Sequence, residues 1–232
     1  MIAIVMGASS GIGREVALLL QRQGWTVGVA ARRLDRLSDF EYSAQVDITA
    51  DNAPDRLLEL INRMGGMDLY FHASGVGHQN RELDEDIELN TVNTNAMGFV
   101  RMVGAAWRFM AKHGGGHIAV ISSIAGTKGL GPAPSYSATK ALRNTYIQAL
   151  EQLSNSRNLS IRFTDLRPGF VDTDLLSGTH GYPLLMDKTA VAHDIVNSLE
   201  RRRHVRVIDF RWRIVTALWK AIPNWAWRRL RL

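Results

Sequence analysis

Short, continuous apolar runs alternate with amphipathic segments along most of this chain, and this alternation constrains its fold more than any other feature. The runs MIAIVMGA, TVGVAAR and HIAVISS are typical of strands. The segments REVALLLQRQG and PDRLLELINRMGG have helical periodicity and end in glycine. Strands of a parallel sheet are continuously apolar because helices cover both of its faces. The pattern therefore predicts a doubly wound, parallel α/β sheet flanked by helices on both faces.

The predicted elements follow one another without an internal repeat, a low-complexity tract or a linker, so one domain is expected. The predicted strands are 1–8, 26–32, 43–48, 67–75, 117–123, 159–169 and, as a seventh, 204–210. The predicted helices are 14–24, 54–66, 86–112 and 135–155. Residues 174–190 are predicted to be the least ordered part. Ser177, Gly178 and Gly181 suggest that this segment is a lid beside the ligand.

The composition of the 232 residues, 46% hydrophobic and 22% charged, is typical of a globular domain with a sizeable core. The absence of cysteine excludes disulfides and thiolate metal sites and fits a reducing compartment, and no metal site is predicted. The first residues do not have the pattern of a signal peptide, and no apolar run approaches the ~20 residues of a spanning helix. A cytoplasmic location is therefore predicted.

The net charge of +6 is concentrated at the C-terminus. Residues 201–232 hold ten Lys or Arg and one acidic residue, whereas the other 200 residues hold 18 basic and 21 acidic residues. The basic charge thus belongs to the tail and not to the body, and nucleic-acid binding by the body is not indicated.

A glycine-rich turn, GASSGIG, follows the first predicted strand and precedes the first predicted helix. Glycines at Gly7, Gly11 and Gly13 allow a tight turn and the close approach of a pyrophosphate to the helix N-terminus. Their spacing is G-x-x-x-G-x-G and not the more familiar G-x-G-x-x-G. A plain turn is the alternative, but the position at the first strand-to-helix crossover favours a phosphate site.

The end of the second predicted strand indicates which dinucleotide would bind. An acidic residue there would hold a free ribose 2′-hydroxyl, but the chain has Ala31 followed by Arg32 and Arg33. Two guanidinium groups suit a 2′-phosphate by charge and by geometry, which favours NADP(H) over NAD(H). The alternative is that both arginines are simply the solvated start of a helix.

Tyr136 and Lys140 are one helical turn apart in PSYSATKA, so their side chains share a face. Pro132 and Pro134 disfavour helix before them, which predicts a helix that begins near Ser135. Such a pair also occurs by chance on exposed helices, so the pair alone does not indicate a function and other parts of the sequence are needed to interpret it.

With GASSGIG, AARR, VDI, ISS and YSATK in this order, the chain resembles the short-chain dehydrogenase/reductase family over about residues 1–200. The resemblance implies a Rossmann-type, NADP-binding catalytic domain at 1–200. Residues 201–232 are predicted to be a last strand and a basic, aromatic tail, and this tail departs from the family pattern. It also implies a catalytic set of Asn95, Ser123, Tyr136 and Lys140. Ser123 is preferred to Ser122 because it lies 13 residues before Tyr136, which is the family interval.

The resemblance further implies a set of cofactor-binding residues, which includes the aspartate of VDI and the P-G-x-V-x-T segment. These residues are Gly7, Ser9, Ser10, Gly11, Ile12, Gly13, Arg32, Arg33, Asp47, Ile48, Ser74, Gly75, Tyr136, Lys140, Pro168, Gly169, Val171 and Thr173. The chain departs from the family at His72-Ala73-Ser74-Gly75, where the family has N-N-A-G. The hydrogen bonds of the two lost asparagines must be replaced, and His72 is interpreted as a buried structural residue.

The implied chemistry is hydride transfer between NADP(H) and a small-molecule carbonyl or alcohol substrate. Tyr136 would supply the proton, Lys140 would lower the pKa of Tyr136 and hold the nicotinamide ribose, and Ser123 would bind the substrate oxygen. Asn95 would hold a water of a proton relay. An NADP-binding sensor or scaffold without turnover is the alternative. Family epimerases and dehydratases carry a larger C-terminal region than the roughly 60 residues that follow Pro168 here.

The tail carries four of the six tryptophans. On a helix over 211–222, Trp212, Val215, Trp219 and Ile222 form an apolar stripe beside basic residues. The stripe would suit an anionic membrane surface, which would favour an apolar or lipid-like substrate. The alternatives are packing on the body of the same chain, closure of the substrate cleft or a dimer contact. The family implies a homodimer through helices at about 95–112 and 136–153, whereas the altered tail puts the usual tetramer in doubt.

Overall fold

The computed structural model describes residues 1–176 and 181–231. Within them, seven parallel strands form one sheet in the order β3-β2-β1-β4-β5-β6-β7. The strands are β1 Ile2–Met6, β2 Thr26–Ala31, β3 Tyr42–Gln45, β4 Leu69–His72, β5 Gly116–Ile121, β6 Ile161–Arg167 and β7 Val205–Val207. The predicted doubly wound α/β fold is confirmed.

Helices cover both faces of this sheet. They are α1 Gly11–Arg22, α2 Ala53–Met64, α3 Glu85–Val92, α4 Phe99–Lys112, α5 Pro134–Ser156, α6 Lys188–Glu200, α7 Phe210–Ala221 and the short α8 Asn224–Trp227. Strand side chains alternate between the two faces, so Val5 and Val29 pack in the layer of α1, α6 and α7, whereas Ile4 and Met6 pack in the layer of α2, α4 and α5.

The predicted helix over 86–112 is interrupted, which corrects the sequence analysis. A π-helical segment, Asn93–Gly98, separates α3 from α4. Such segments are rare and often lie at functional sites, and this one contains Asn95. The residues that flank this segment, Val92 and Phe99, have α-helical backbone angles, so the helical pattern of the sequence continues from α3 into α4.

Other bounds differ from the predictions as well. The seventh strand, predicted over 204–210, is only Val205–Val207, because Asp209 caps α7, which begins at Phe210. The third strand ends at Gln45 and not at Ile48. The Asp47 carboxylate accepts a hydrogen bond from the Thr49 amide, which forms a turn where the strand was predicted to continue. Helix α6 was not predicted; Asp187 caps it by accepting a hydrogen bond from the Ala190 amide at 2.8 Å.

The segment predicted to be least ordered has structure on both sides of its centre. Asp174–Leu176 is a 3₁₀ turn, and Met186 pairs with Val171 in an isolated bridge. The lid prediction rests on Ser177 and Gly178 among others, and these two lie outside the described residues.

The tail packs on the body of the chain, which is the first of the alternatives above. Trp212 is 3% exposed, and Val215 and Trp219 pack against the same core layer as α1 and α6. The face with Trp212, Val215 and Trp219 is therefore not available to a membrane, whereas membrane contact by the tail as such stays a prediction. In the described residues, no helix is long and apolar enough to cross a bilayer.

Candidate active site

The predicted site residues lie where β1, β2, β4, β5 and β6 end at one edge of the sheet. The strand order reverses at β1, which has β2 on one side and β4 on the other. The carboxyl ends of parallel strands at such a reversal form the crevice in which ligands of doubly wound sheets bind. The fold thus collects side chains from across the sequence at one crevice.

The glycine turn connects β1 to α1 and leaves no room for a side chain at Gly7 or Gly13. Gly7 leaves β1 with φ of 95° and donates its amide to Ala30 at 2.7 Å. A Cβ on Gly13 would overlap the Gly7 carbonyl oxygen, so glycine is required there. Ser10 caps α1 in an extended conformation without a side-chain cap bond, which leaves its hydroxyl available to other groups.

Arg33 reaches from the end of β2 to this turn. Its guanidinium donates to the hydroxyls of Ser9 and Ser10 at 3.1 and 3.2 Å. Ala31 is buried and supplies no carboxylate. A cation and two hydroxyls therefore lie together at the position where an acidic residue would favour a free 2′-hydroxyl.

Arg32 points to a different neighbour. Its carbonyl accepts a hydrogen bond from Gln45, and its charge acts on Asp47. Burial would raise the pKa of Asp47, but hydrogen bonds from Thr49 and the Arg32 charge outweigh this effect and hold the pKa below its ordinary value. Asp47 is thus an anchored carboxylate at the rim, next to the buried Ile48.

The two neighbouring serines at the end of β5 face different groups. Ser122 is buried and donates to the carboxylate of Asp165, whose other oxygen binds Arg167. Ser123 accepts a hydrogen bond from the Ala125 amide at 3.1 Å, and its hydroxyl also lowers the pKa of Tyr136 by hydrogen bonding. Ser123, and not Ser122, is therefore the serine beside the tyrosine.

Tyr136 and Lys140 share the first turns of α5, as the spacing predicts. The Lys140 Nζ lies 5.3 Å from the centroid of the Tyr136 ring. Burial raises the pKa of Tyr136, whereas Ser123 and the charge of Arg143 act to lower it. Burial also lowers the pKa of Lys140 well below its ordinary value, and Arg143 lowers it further. The lowering of the Tyr136 pKa by Lys140 itself stays a prediction.

Asn95 fixes the turn after β4. Its side chain accepts from the Val76 amide at 2.9 Å and donates to the Val76 carbonyl at 2.7 Å. Because both polar groups of this side chain are bound to backbone, its first effect is to hold the turn in place. The water relay predicted for Asn95 stays a prediction.

Arg143 is a residue of the site that the sequence analysis missed. It is fully buried one turn after Lys140, and its guanidinium donates to the carbonyls of Ser74, Asn95 and Ile121 at 2.9–3.1 Å. These bonds join the ends of β4 and β5 to the π-helical segment. Burial lowers the pKa of Arg143 to about 10, so it remains charged at neutral pH.

Arg143 also contacts the His72-Ala73-Ser74-Gly75 turn, where the chain departs from N-N-A-G. Its guanidinium donates to the Ser74 carbonyl at 3.0 Å. The signal in the sequence is an arginine at i+3 from Lys140, on the same helix face as Tyr136 and Lys140. A charged residue on a long helix is usually solvated, so this spacing alone does not predict burial.

His72 is structural, as interpreted from the sequence. It is fully buried at the end of β4, its Nδ1 lies 3.0 Å from the Tyr70 hydroxyl, and its ring meets Phe99 edge-on. Within the described residues its Nε2 has no hydrogen-bond partner. Burial lowers the pKa of His72 well below its ordinary value, so the ring is neutral.

The segment after β6 closes the crevice. The Pro168 carbonyl accepts from the Ile124 amide at 3.0 Å, and the methyl of Thr173 lies directly over Gly11 of the glycine turn. Val171 is buried, and a Cβ on Gly169 would overlap the indole of Trp212. The tail helix α7 is therefore packed against the back of this segment, a contact that sequence reasoning did not locate.

The comparisons with known proteins agree with this geometry. The family model for short chain dehydrogenases matches residues 1–180. An uncharacterized oxidoreductase of Myxococcus xanthus is 33% identical over an alignment of 241 positions, which covers 96% of this chain and 92% of that protein. An uncharacterized oxidoreductase of Staphylococcus epidermidis is 27% identical, with 89% of this chain and 94% of that protein covered.

Solved structures share the fold. A short chain dehydrogenase of Burkholderia cenocepacia in complex with NADP has a TM-score of 0.86 at 20% identity, with 100% of this chain and 98% of that chain covered. An alcohol dehydrogenase of Thermococcus sibiricus complexed with 5-hydroxy-NADP has a TM-score of 0.76 at 23% identity, with 89% and 94% covered. The sheet order, the crevice and the family match together establish that this chain belongs to the short-chain dehydrogenase family.

Proposed function

We propose that this protein is an NADP(H)-dependent oxidoreductase that transfers hydride between the nicotinamide and a carbonyl or alcohol carbon. The observation that carries the proposal is the grouping of Ser123, Tyr136 and Lys140 at the sheet edge, beside the glycine turn. The proton donor and the phosphate site are thus parts of one crevice, as dinucleotide-dependent chemistry requires.

The described residues fit both phosphate groups of NADP, the pyrophosphate and the 2′-phosphate. The amides at the start of α1 would face the pyrophosphate, and Arg33 with Ser9 and Ser10 offers one cation and two hydroxyls to a 2′-phosphate. Asp47 would lie at the adenine side, with Ile12 and Ile48 as apolar neighbours. Ser74, Gly75, Pro168, Gly169, Val171 and Thr173 would border the nicotinamide half.

When bound, NADPH supplies the hydride that reduces the carbonyl carbon. As charge develops on the carbonyl oxygen, Tyr136 delivers its proton to that oxygen and becomes a phenolate. Ser123 donates a hydrogen bond to the same oxygen and holds it in position. Alcohol oxidation is the reverse, with Tyr136 as the base. The positive charge of Arg143 stabilises the phenolate in either direction, and a protonated Lys140 would add to this effect.

An apolar substrate is supported by the aromatic groups near the segment after β6. The Phe170 ring lies 4.5 Å from that of Tyr182, and Leu175 lies beside Gly77 and Tyr136. These groups offer contact area and few hydrogen-bond donors.

We also propose a homodimer through α4 and α5. On α5, Leu142 and Leu153 are 38% and 42% exposed. The cytoplasmic location stays a prediction.

Binding of NADPH and NADH to the purified protein, measured by calorimetry, tests the cofactor proposal. NADPH is expected to bind more tightly than NADH, because only NADPH carries the 2′-phosphate. Arg33→Ala is expected to weaken NADPH binding about tenfold or more and to leave NADH binding almost unchanged, since a charge-assisted hydrogen bond is worth about 1.5–3 kcal/mol.

Arg36→Ala is the matched control, because Arg36 lies in the same connection but makes its ion pair with Asp174. It is expected to bind both cofactors like the wild type. Equal affinities for NADPH and NADH would contradict the assignment of Arg33. Failure to bind either cofactor would contradict the proposed function itself.

A further inference from the structure

Helix α7 has two apolar faces on opposite sides. One contains Trp212, Val215 and Trp219 and packs on the body. On the other, Phe210, Ile214 and Leu218 are 68%, 57% and 62% exposed. At 3.6 residues per turn, these three and the alanines 217 and 221 fall within about 100° of the helix circumference. We call Phe210, Ile214 and Leu218 the tail face.

Basic side chains border the tail face on both sides. Arg211 lies on one side and Arg213 and Lys220 on the other, at the helical angles between the tail face and the buried face. Asp209 is the one acidic residue of 201–232, and it is bound by Arg211 at 3.0 Å. An exposed apolar strip between two basic margins is typical of helices that lie in a membrane interface.

The chain beyond α7 has the same character. Trp225 is 66% exposed, and the guanidinium of Arg229 lies 5.7 Å from its ring centroid. Among the residues that the structure describes, those that line a groove of about 740 Å³ beside the tail include four basic ones and no acidic one. The basic residues are Arg81, Lys128, Arg228 and Arg231. Such a groove suits an anionic headgroup.

The body holds the tail in a fixed position. Lys128 donates to the Ile222 carbonyl at 3.1 Å and to the Asn224 side chain at 2.6 Å, and Trp227 donates to the Gly129 carbonyl at 2.7 Å. The tail face is therefore presented outward by a folded element, without an ordering cost at the moment of binding.

We propose that the tail face docks this enzyme on an anionic lipid bilayer. Phe210, Ile214 and Leu218 enter the headgroup region, while the arginines and Lys220 contact lipid phosphates. A second copy of the chain is the less favourable occupant, because a symmetric contact would bring together two tails of nine net positive charges each. Nucleic acid would use the basic residues but leave the exposed leucine and isoleucine without a role.

Co-sedimentation of the full chain with lipid vesicles tests this proposal. The protein is expected to sediment with vesicles of phosphatidylcholine and phosphatidylglycerol, and to remain in solution with phosphatidylcholine alone. Added salt is expected to weaken the binding. Leu218→Asp is expected to lower vesicle affinity about tenfold or more, because it places a carboxylate within the apolar strip.

The matched control is Leu89→Asp, since Leu89 is a helical leucine of α3 that is 59% exposed, far from the tail in sequence. It is expected to bind vesicles like the wild type. The inference is overturned if the wild type does not sediment with the anionic vesicles, or if Leu218→Asp binds as well as Leu89→Asp. Self-association that Leu218→Asp abolishes would also overturn it. NADPH binding of each variant is measured in parallel, which separates this outcome from failure of the proposed function.

Discussion

Tyr136→Phe is expected to lose about 10³-fold in carbonyl reduction while it binds NADPH almost as tightly as the wild type, because general acid–base catalysis contributes about 10²–10⁴-fold. The substitution removes only the hydroxyl. The ring keeps its place against Gly77 and beside Lys140, so the crevice is not expected to collapse. Turnover of a panel of apolar aldehydes and ketones, followed by NADPH absorbance, measures the loss.

The matched control is Tyr146→Phe on the same helix. Tyr146 is half-buried ten residues further along α5, where its ring meets Phe99 edge-on at 5.9 Å. It is expected to keep its activity, since its hydroxyl is outside the catalytic cluster. Full activity of Tyr136→Phe would show that another group supplies the proton. Tight NADPH binding by a wild type that reduces no substrate would favour the sensor or scaffold alternative.

The sequence predicted the parts of this protein that depend on local patterns. The apolar runs located the strands because burial on both faces requires continuous apolar sequence, and the prolines before Tyr136 located the start of α5 to within one residue. The tyrosine and lysine share a face because helix geometry fixes the relation between i and i+4. These predictions needed no knowledge of distant neighbours.

The sequence could not predict features that depend on contacts between distant segments. The two faces of α7 are both apolar in the sequence. Contacts with distant residues, such as that of Trp212 with Gly169, decide which face is buried. The π-helical segment at Asn95 is similar: its place depends on hydrogen bonds to Val76 and Arg143. Arg33 and Arg32 are neighbours in sequence, yet only Arg33 reaches the glycine turn.

The helix position of Arg143 follows from a local pattern, whereas its burial depends on contacts with distant segments. Its replacement is the second substitution for which we expect a large effect. Arg143→Met should lower the free energy of unfolding by about 3 kcal/mol, because each buried carbonyl left without a donor costs about 1–3 kcal/mol and the loss of a buried charge offsets part of this. The three carbonyls belong to Ser74, Asn95 and Ile121. Denaturant unfolding followed by circular dichroism measures the change.

Arg101→Met is the matched control, because Arg101 also donates to backbone carbonyls, those of Ile48 and Thr49, but its side chain is 23% exposed. Water can replace the lost donors there, so a loss below about 1 kcal/mol is expected. Arg143→Lys should fall between wild type and Arg143→Met, because an ammonium keeps the charge but cannot reach three carbonyls in the geometry of a guanidinium.

The same variant shows whether Arg143 acts on the chemistry as well as on the fold. Its charge lowers the pKa of Tyr136, so the phenolate should be less accessible without it. Alcohol oxidation, which needs the phenolate, should then require higher pH in Arg143→Met than in the wild type. The rise in the Lys140 pKa when Arg143 is removed acts in the opposite direction. An unchanged pH profile with reduced stability would assign Arg143 to the fold alone, whereas unchanged stability would mean that its hydrogen bonds only balance the cost of burying its charge.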